Sequence, residues 1–458
     1  MLFNSLHFAI FFPLVTLIYF LVPFRYRWAW MLAASCYFYM AFVPIYIVIL
    51  GVTILVDYAA GLQIEKSQGA KRRHWLWASI VVTCAVLFIF KYYGFYVSNV
   101  NALAEFLGWN YSIKALEILL PIGLSFHTFQ SLSYVIEVYR GEQKAEPHFG
   151  IYSLYVMYYP QLVAGPIERP QNILHQLHEE KPFNFENLSV GLKFMMMGLF
   201  KKVVIADNLA PFVNRIYNSP GEANQLEAIL ATVLFAFQIF YDFSGYSDMA
   251  RGASKVMGID LMINFNHPYF AKSVSDFWSR WHISLSTWFR DYVYIPLGGS
   301  RVSALKNARN LLVTFLLSGL WHGANWTYVI WGGLNGAFLI LEKYLGLAKL
   351  PKPLRWLITF TLICFTWIFF RANSLSDAWL VVHKIFVPGS GFNLTSSLQK
   401  TLGTLVGLGI FILFAEFGVE KGLGSRQRVT RWATAWFVCM LIIFASADHA
   451  EQFIYFQF

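Results

Sequence analysis

Residues Asn310 to Leu341 read NLLVTFLLSGLWHGANWTYVIWGGLNGAFLIL, 32 consecutive positions without Asp, Glu, Lys or Arg. One unbroken helix of that length would measure ~48 Å at ~1.5 Å per residue. A bilayer core of ~30 Å is crossed by ~20 apolar residues. The run is therefore too long for a single ordinary crossing and must be broken or tilted, and Gly319, Gly323 and Asn325 mark the expected break near its middle. His322 sits inside that break. Irregular backbone at membrane depth survives only where protein or a water-filled cavity satisfies its polar groups. If Arg309 marks the inner surface, 13 further residues carry His322 ~20 Å inward, among hydrocarbon. An ionisable side chain there points first to catalysis or transport; the bland alternative is a structural histidine bonded to a neighbouring carbonyl.

The rest of the chain agrees with a membrane setting. Its 458 residues are 57% hydrophobic and only 13% charged, with 35 Lys+Arg against 25 Asp+Glu, a formal net charge of +10. Soluble domains carry about 25% charged residues, so a water-soluble globule is disfavoured, as are disorder, collagen and coiled coil. The basic excess is spread between apolar runs and not gathered on one tract, which argues against nucleic acid. Cys36, Cys84, Cys364 and Cys439 lie far apart with no CxxC and no His at ligand spacing, so neither a disulfide framework nor a metal site is expected. Met1 to Phe24 has no charged side chain, no basic start and no A-x-A-like cleavage site; it reads as an uncleaved first span.

Further apolar runs are Phe8–Phe24, Trp28–Val56 interrupted by Pro44, Trp75–Phe90, Ala115–Val138, Ile151–Gly165, Val190–Ile205, Leu226–Tyr246, Trp356–Phe370, Thr401–Ala415 and Trp432–Ala447. With the two longest folded as pairs, the expectation is an all-α polytopic protein with about 10–13 membrane-embedded helices, forming one integral membrane unit over residues 1–458. The basic clusters Arg25/Arg27, Lys66/Lys71/Arg72/Arg73, Lys201/Lys202, Arg251/Lys255, Arg301/Lys306/Arg309 and Lys421/Arg426/Arg428/Arg431 mark the inner side.

Three more segments carry chemistry. Ser275 to Leu297 reads SDFWSRWHISLSTWFRDYVYIPL, and at ~100° per residue Trp278, Trp281, His282, Leu285, Trp288, Phe289 and Tyr292 share one arc opposite Arg280 and Arg290. That pattern predicts one helix in the headgroup plane, either as an interfacial anchor or with His282 facing a reaction chamber. YDFSGYSDM, Tyr241 to Met249, places Asp242 and Asp248 at the end of a span. They could line a tunnel, bind a cation or pair with Arg251 or Lys255; no other ligand stands at defined spacing for a metal. AGPIERP, Ala164 to Pro170, sets Glu168 and Arg169 between two prolines, as a local ion pair or as a device orienting a donor phosphate. Walker, GxGxxG, GxSxG and HExxH motifs are absent.

These residues carry a family likeness. LLPIGLSFHTFQ (Leu119–Gln130), YPQLVAGPIERP (Tyr159–Pro170), YDFSGYSDMA (Tyr241–Ala250), FWSRWHISLSTWFRDYVYIPLGG (Phe277–Gly299) and LSGLWHGANWTYVIWG (Leu317–Gly332) occur in order along the chain. Together with the opening LFNSLHFAIFFPL, they resemble the membrane-bound O-acyltransferase family, in its AlgI-like branch of alginate and polysaccharide O-acetyltransferases. The resemblance implies a ring of helices around a central tunnel in the bacterial inner membrane, joining a cytoplasmic donor to an outer acceptor. It makes His322 the family's invariant catalytic histidine and His282 its second active-site position, while Ser279 stands where relatives commonly have a basic residue.

The resulting expectation is transfer from a thioester, acetyl-CoA or an acyl carrier, with no bound cofactor. His322 would act as general base and His282 would position the acyl group or stabilise the oxyanion. Trp321, Asn325, Asp242 and Asp248 would line or orient the tunnel, and Arg280, Arg290, Lys201 and Lys202 would meet donor phosphates. The acyl group would pass through an SGNH-type partner to a polysaccharide. The competing expectation is a transporter or exporter with a His322/Asp242/Asp248 proton relay.

Overall fold

The computed structural model describes residues 1–114, 120–346, 349–387, Ile442, Phe453 and Ile454. The expected spans Thr401–Ala415 and Trp432–Ala447, the start of Ala115–Val138, Cys439 and the basic cluster Lys421–Arg431 lie outside the described residues, in whole or in part. Among the described residues every regular element is helical. Helices α1 (Leu6–Leu21), α2 (Phe24–Met40), α3 (Tyr46–Lys66) and α4 (Gly69–Leu87) come first, and α4 continues through a π-helical turn into α5 (Tyr93–Phe106). Next are α6 (Leu124–Arg140), α7 (Phe149–Met157), α8 (Pro170–Leu177) and α9 (Phe185–Phe200), which passes through the π-helical Lys201–Ala206 into α10 (Asp207–Asn218). The rest are α11 (Gln225–Val256), α12 (Val274–Trp278), α13 (Ile283–Phe289), α14 (Ala304–His322), α15 (Trp326–Leu345), α16 (Lys352–Arg371) and α17 (Leu375–Phe386).

The surface of these helices is inverted relative to a protein in water. On α1 the exposed side chains include Leu6, Ile10, Leu14, Leu17 and Leu21, spaced by three or four residues. On α3, Val48, Val52 and Leu55 are exposed while Asp57 on the same helix is fully buried. An apolar stripe at helical spacing facing outward, with the carboxylate inside, suits lipid and would be penalised in water. Among the described residues, four continuous helical segments are long and apolar enough to cross a bilayer: Tyr46–Lys66, Gly69–Phe106, Gln225–Val256 and Lys352–Arg371.

The chain gathers into two compact units, Met1–Gly191 with Ala253–Ile263, and Leu192–Gly252 with Asn264–Phe458. In the first, α3 packs on α4 and α6, and α2 on α7. The Asp57 carboxylate accepts from Ser79 and Thr83 of α4, so the burial of a charge is offset by hydroxyls from the neighbouring helix. Glu168, also fully buried, accepts from the Met262 backbone N–H at 2.5 Å and the Asn172 side chain at 3.4 Å; in AGPIERP it therefore pins the 253–263 segment.

In the second unit α14 and α15 form an antiparallel hairpin, with α16 against α15. A Cβ on Gly319 would stand 2.2 Å from the Tyr328 carbonyl oxygen, and one on Gly332 2.2 Å from that of Phe315. Only glycine permits the backbones to approach so closely.

Two sequence expectations are corrected. Ser275–Leu297 is not one helix: α12 ends at Trp278, His282 takes φ 43° and ψ 55°, α13 starts at Ile283, and Arg290–Tyr294 is π-helical. The aromatic arc assumed a continuous 100° rotation, which a left-handed residue interrupts. In Ile151–Gly165 the helix stops early: the nine-residue α7, begun at Phe149, ends at Met157, because the Tyr158–Gly165 segment with Pro160 turns away from helix.

Candidate active site

The break forecast in Asn310–Leu341 occurs at Gly323–Asn325, leaving His322 as the last residue of α14. Asn325 is the N-cap of α15, its Oδ1 accepting from the Thr327 backbone N–H at 3.0 Å. Its amide thus serves the helix start. A Cβ on Gly323 would lie 2.1 Å from the Tyr328 ring, so the return of the chain needs a residue without a side chain there.

His322 is 4% exposed and sits in an aromatic box. The ring centroid of Trp331 is 4.9 Å away at 88°, that of Phe370 5.4 Å at 73°, and that of Trp321 5.0 Å at 82°. Edge-to-face contacts at these distances fix the imidazole plane. Trp331 comes from α15 and Phe370 from α16, so two further helices orient one histidine.

His282 is fully buried at the break between α12 and α13. Its Nδ1 is 3.2 Å from Asn264 Oδ1, and that oxygen also accepts from the Ser284 backbone N–H at 3.2 Å and the Ser284 hydroxyl at 2.9 Å. Asn264 Nδ2 donates to Ser247 Oγ at 3.3 Å. With the amide so anchored, its oxygen must accept, which assigns the proton to Nδ1 and makes Nε2 the acceptor nitrogen of the neutral ring. Phe243 stands edge-on to the same ring, 4.6 Å away at 90°. The Trp321 ring lies 6.3 Å from His282 as well as 5.0 Å from His322. The structure thus brings both histidines against one tryptophan.

The other predicted residues fall elsewhere. Lys202 is 5% exposed, its Nζ 2.7 Å from Asp207 Oδ1 and 2.7 Å from Asp242 Oδ1. The other oxygen of Asp242 accepts from the Ile454 backbone N–H at 2.7 Å. Lys201 pairs with Asp248 at 2.9 Å, and Arg251 approaches the same carboxylate at 3.7 Å. Neither lysine is a loose surface cation for a donor phosphate, because acids on α10 and α11 already balance both. Asp242 and Asp248 are ion-pair partners, Asp248 with the Arg251 foreseen and both with lysines that were not. Close approach of the helices allows this: a Cβ on Gly198 would meet the Gly245 carbonyl oxygen at 2.4 Å.

Arg280 bonds Asp276 at 2.6 Å and Arg290 bonds Asp291 at 2.7 Å. Burial works to raise the Asp276 carboxyl, but the Arg280 hydrogen bond, the Lys272 backbone N–H and the charges of Arg280 and Lys272 together outweigh it and hold the group below its ordinary value. Arg290 and Ser279 border a cavity of about 340 Å³ whose wall includes Trp278, Ser286, Thr314 and Ser318. Ser318 precedes His322 by four residues on α14, so this cavity runs along the helix that carries the imidazole. Among the described residues no group of three or more His, Cys, Asp or Glu is arranged to hold a metal.

Sequence reasoning missed Asn264, Trp331 and Phe370. Nothing in the spacing links Asn264 to His282, 18 positions later, and nothing sets Trp331 or Phe370 apart from the other aromatics of their apolar runs.

Residues 142–375 match the family model for the membrane-bound O-acyltransferases. The chain is 39% identical to the probable alginate O-acetylase AlgI of Pseudomonas aeruginosa, over 90% of this chain and 80% of that protein. It is 38% identical to the probable alginate O-acetylase AlgI of Azotobacter vinelandii, over 90% and 83%. With the peptidoglycan O-acetyltransferase of Helicobacter pylori the identity is 37%, over 80% and 74%. A helical, lipid-facing fold, two buried histidines sharing a tryptophan and a match across more than half the sequence lead to one assignment: the chain belongs to the membrane-bound O-acyltransferase family.

Proposed function

We propose that this multi-pass membrane O-acyltransferase moves an acetyl group from a cytoplasmic thioester, acetyl-CoA or an acyl carrier, across the bacterial inner membrane for O-acetylation of a cell-envelope or secreted polysaccharide. His322 is the general base. Its imidazole takes the proton of an acceptor hydroxyl as that oxygen attacks the thioester carbonyl; the C–O bond forms, the C–S bond breaks, and the proton passes to the departing thiolate. His282, held by Asn264 with its proton on Nδ1, presents Nε2 as an acceptor and positions the reacting groups beside His322.

The observation that carries this reading is the placement of His322 at the broken end of α14, locked by aromatics from two other helices and joined through Trp321 to His282. The cavity bordered by Arg290 and Ser279 suits the narrow arm of a thioester donor, with Arg290 toward its phosphates; Arg280, outside that lining, would meet them only beyond the cavity. The names of the relatives favour acetyl as the group moved and a polysaccharide such as alginate or peptidoglycan as acceptor. A tunnel through the helix ring and relay through an SGNH-type partner belong to the same proposal.

His322→Ala tests it. Membranes carrying the variant and labelled acetyl-CoA should leave acceptor fractions unlabelled while the protein still folds and inserts. Normal labelling by His322→Ala removes the catalytic assignment. Flux of polymer without acetyl turnover would favour the exporter reading instead.

A further inference from the structure

A separate feature lies in the first unit, where α1 passes into α2. A cavity of about 110 Å³ opens there, the space of roughly three to four water molecules. Its polar lining is Arg25, Arg27, Gln176, His178 and Glu179; Met31 and Leu154 contribute to its apolar wall.

Arg27 is the unusual member. Although charged, it is only 9% exposed. Nε donates to the Val22 carbonyl at 3.2 Å and Nη1 to the Lys181 carbonyl at 2.7 Å, while the guanidinium carbon lies 5.0 Å from the Tyr19 ring centroid and 5.7 Å from that of Phe20. Those contacts fix its plane without cancelling its charge. Among the described residues no carboxylate lies within ion-pair distance of Arg27 or of the exposed Arg25. The acids nearby are engaged: Glu179 pairs with Lys181, and Glu146 Oε2 receives His178 Nε2 at 2.7 Å.

A buried, oriented and uncompensated guanidinium is costly unless an anion completes it. The N-terminus of α2 adds to the same field: its N-cap is Pro23, which supplies no side-chain cap, and the first-turn residues Phe24 and Arg25 line the cavity. The fixed charge of Arg27, a second cation at the rim and a helix N-terminus together describe a receptor for a tetrahedral oxyanion. The apolar wall beside them accommodates the carbon side of an ester.

We infer that this cavity is a phosphate-ester site held by Arg27 and Arg25, distinct in its residues from the two-histidine centre and independent of what that centre catalyses. Two sources offer the chemistry: the headgroup of an anionic phospholipid, and the phosphates of a coenzyme A-type donor.

The full chain, purified in detergent, is offered an equimolar mixture of phosphatidylglycerol and phosphatidylcholine and examined by native mass spectrometry; binding of radiolabelled coenzyme A is measured in parallel by equilibrium dialysis. Arg27→Gln and Arg25→Gln are compared with the parent after gel filtration and thermal melting establish that they fold. Arg25 makes no buried hydrogen bond, so its variant decides the matter if Arg27→Gln fails to fold. Loss of one guanidinium–phosphate contact should weaken binding about tenfold. Preferential retention of phosphatidylglycerol, lost in the variants, assigns the site to a lipid phosphate. Weakened coenzyme A binding with lipid retention unchanged assigns it to the donor. Equal retention of both lipids, with neither probe altered more than twofold in the folded variants, overturns the inference.

Discussion

The α14–α15 hairpin leaves no room for a side chain at Gly332. A methyl added at Gly332 would stand 2.2 Å from the Phe315 carbonyl oxygen and 3.2 Å from the Gly319 Cα. The oxygen belongs to backbone and cannot rotate away, so reaching even a tight 3.0 Å contact requires α15 to retreat by about 0.8 Å. Overpacking of this kind costs about 1–3 kcal/mol. Residue 331 moves with residue 332, and Trp331 sets the plane of His322 from 4.9 Å. A misplacement near 1 Å at a reacting group costs ~10²-fold in rate. Gly332→Ala should therefore lose about two orders of magnitude in acetyl transfer while melting only modestly earlier. Gly333→Ala is the control, since its methyl would meet only Leu316 Cδ2 at 3.5 Å, an ordinary contact. Both variants would be assayed for transfer of labelled acetyl in membranes, normalised to folded protein by gel filtration. Parental activity in Gly332→Ala, or equal damage from both, would refute the claim that hairpin separation sets the histidine geometry.

Asn264→Ala removes the acceptor that orients His282 and leaves the Ser284 N–H without its partner; turnover should fall roughly 10–100-fold with donor KM little changed, whereas a change confined to KM would contradict a positioning role. Lys202→Met takes the cation from between Asp207 and Asp242 and should cost about 3–5 kcal/mol of stability, measured by mixed-micelle unfolding; a stable variant with raised donor KM would instead restore Lys202 as a phosphate ligand. The Asp276 carboxyl is held low in the folded state, so its contribution is present above the unfolded value near ~3.9 and is lost as pH falls through the lower folded value. The melting difference between parent and Asp276→Asn should thus be flat from neutral pH to about pH 5 and vanish in stronger acid. As a partly exposed pair it amounts to under about 1 kcal/mol, and a difference growing on acidification would reverse the sign.

The membrane class, the break in Asn310–Leu341 and the two histidine segments were legible in the sequence, because chain length against bilayer thickness and the cost of charge in hydrocarbon act on contiguous residues. Pro44 likewise separates α2 from α3 as its chemistry requires. The tertiary structure alone decided the partners. Lys202 meets Asp242 across 40 positions, Asn264 meets His282 across 18, and Trp331 and Phe370 converge on His322 from separate helices. Periodicity reports which side of one helix is apolar and carries no information on which helix faces it. The helix break at His282 escaped for a second reason: a left-handed backbone at a non-glycine residue is locally unfavourable, so no propensity encodes it. Only the surrounding packing holds it there, ending α12 and turning the imidazole toward Asn264 and Trp321.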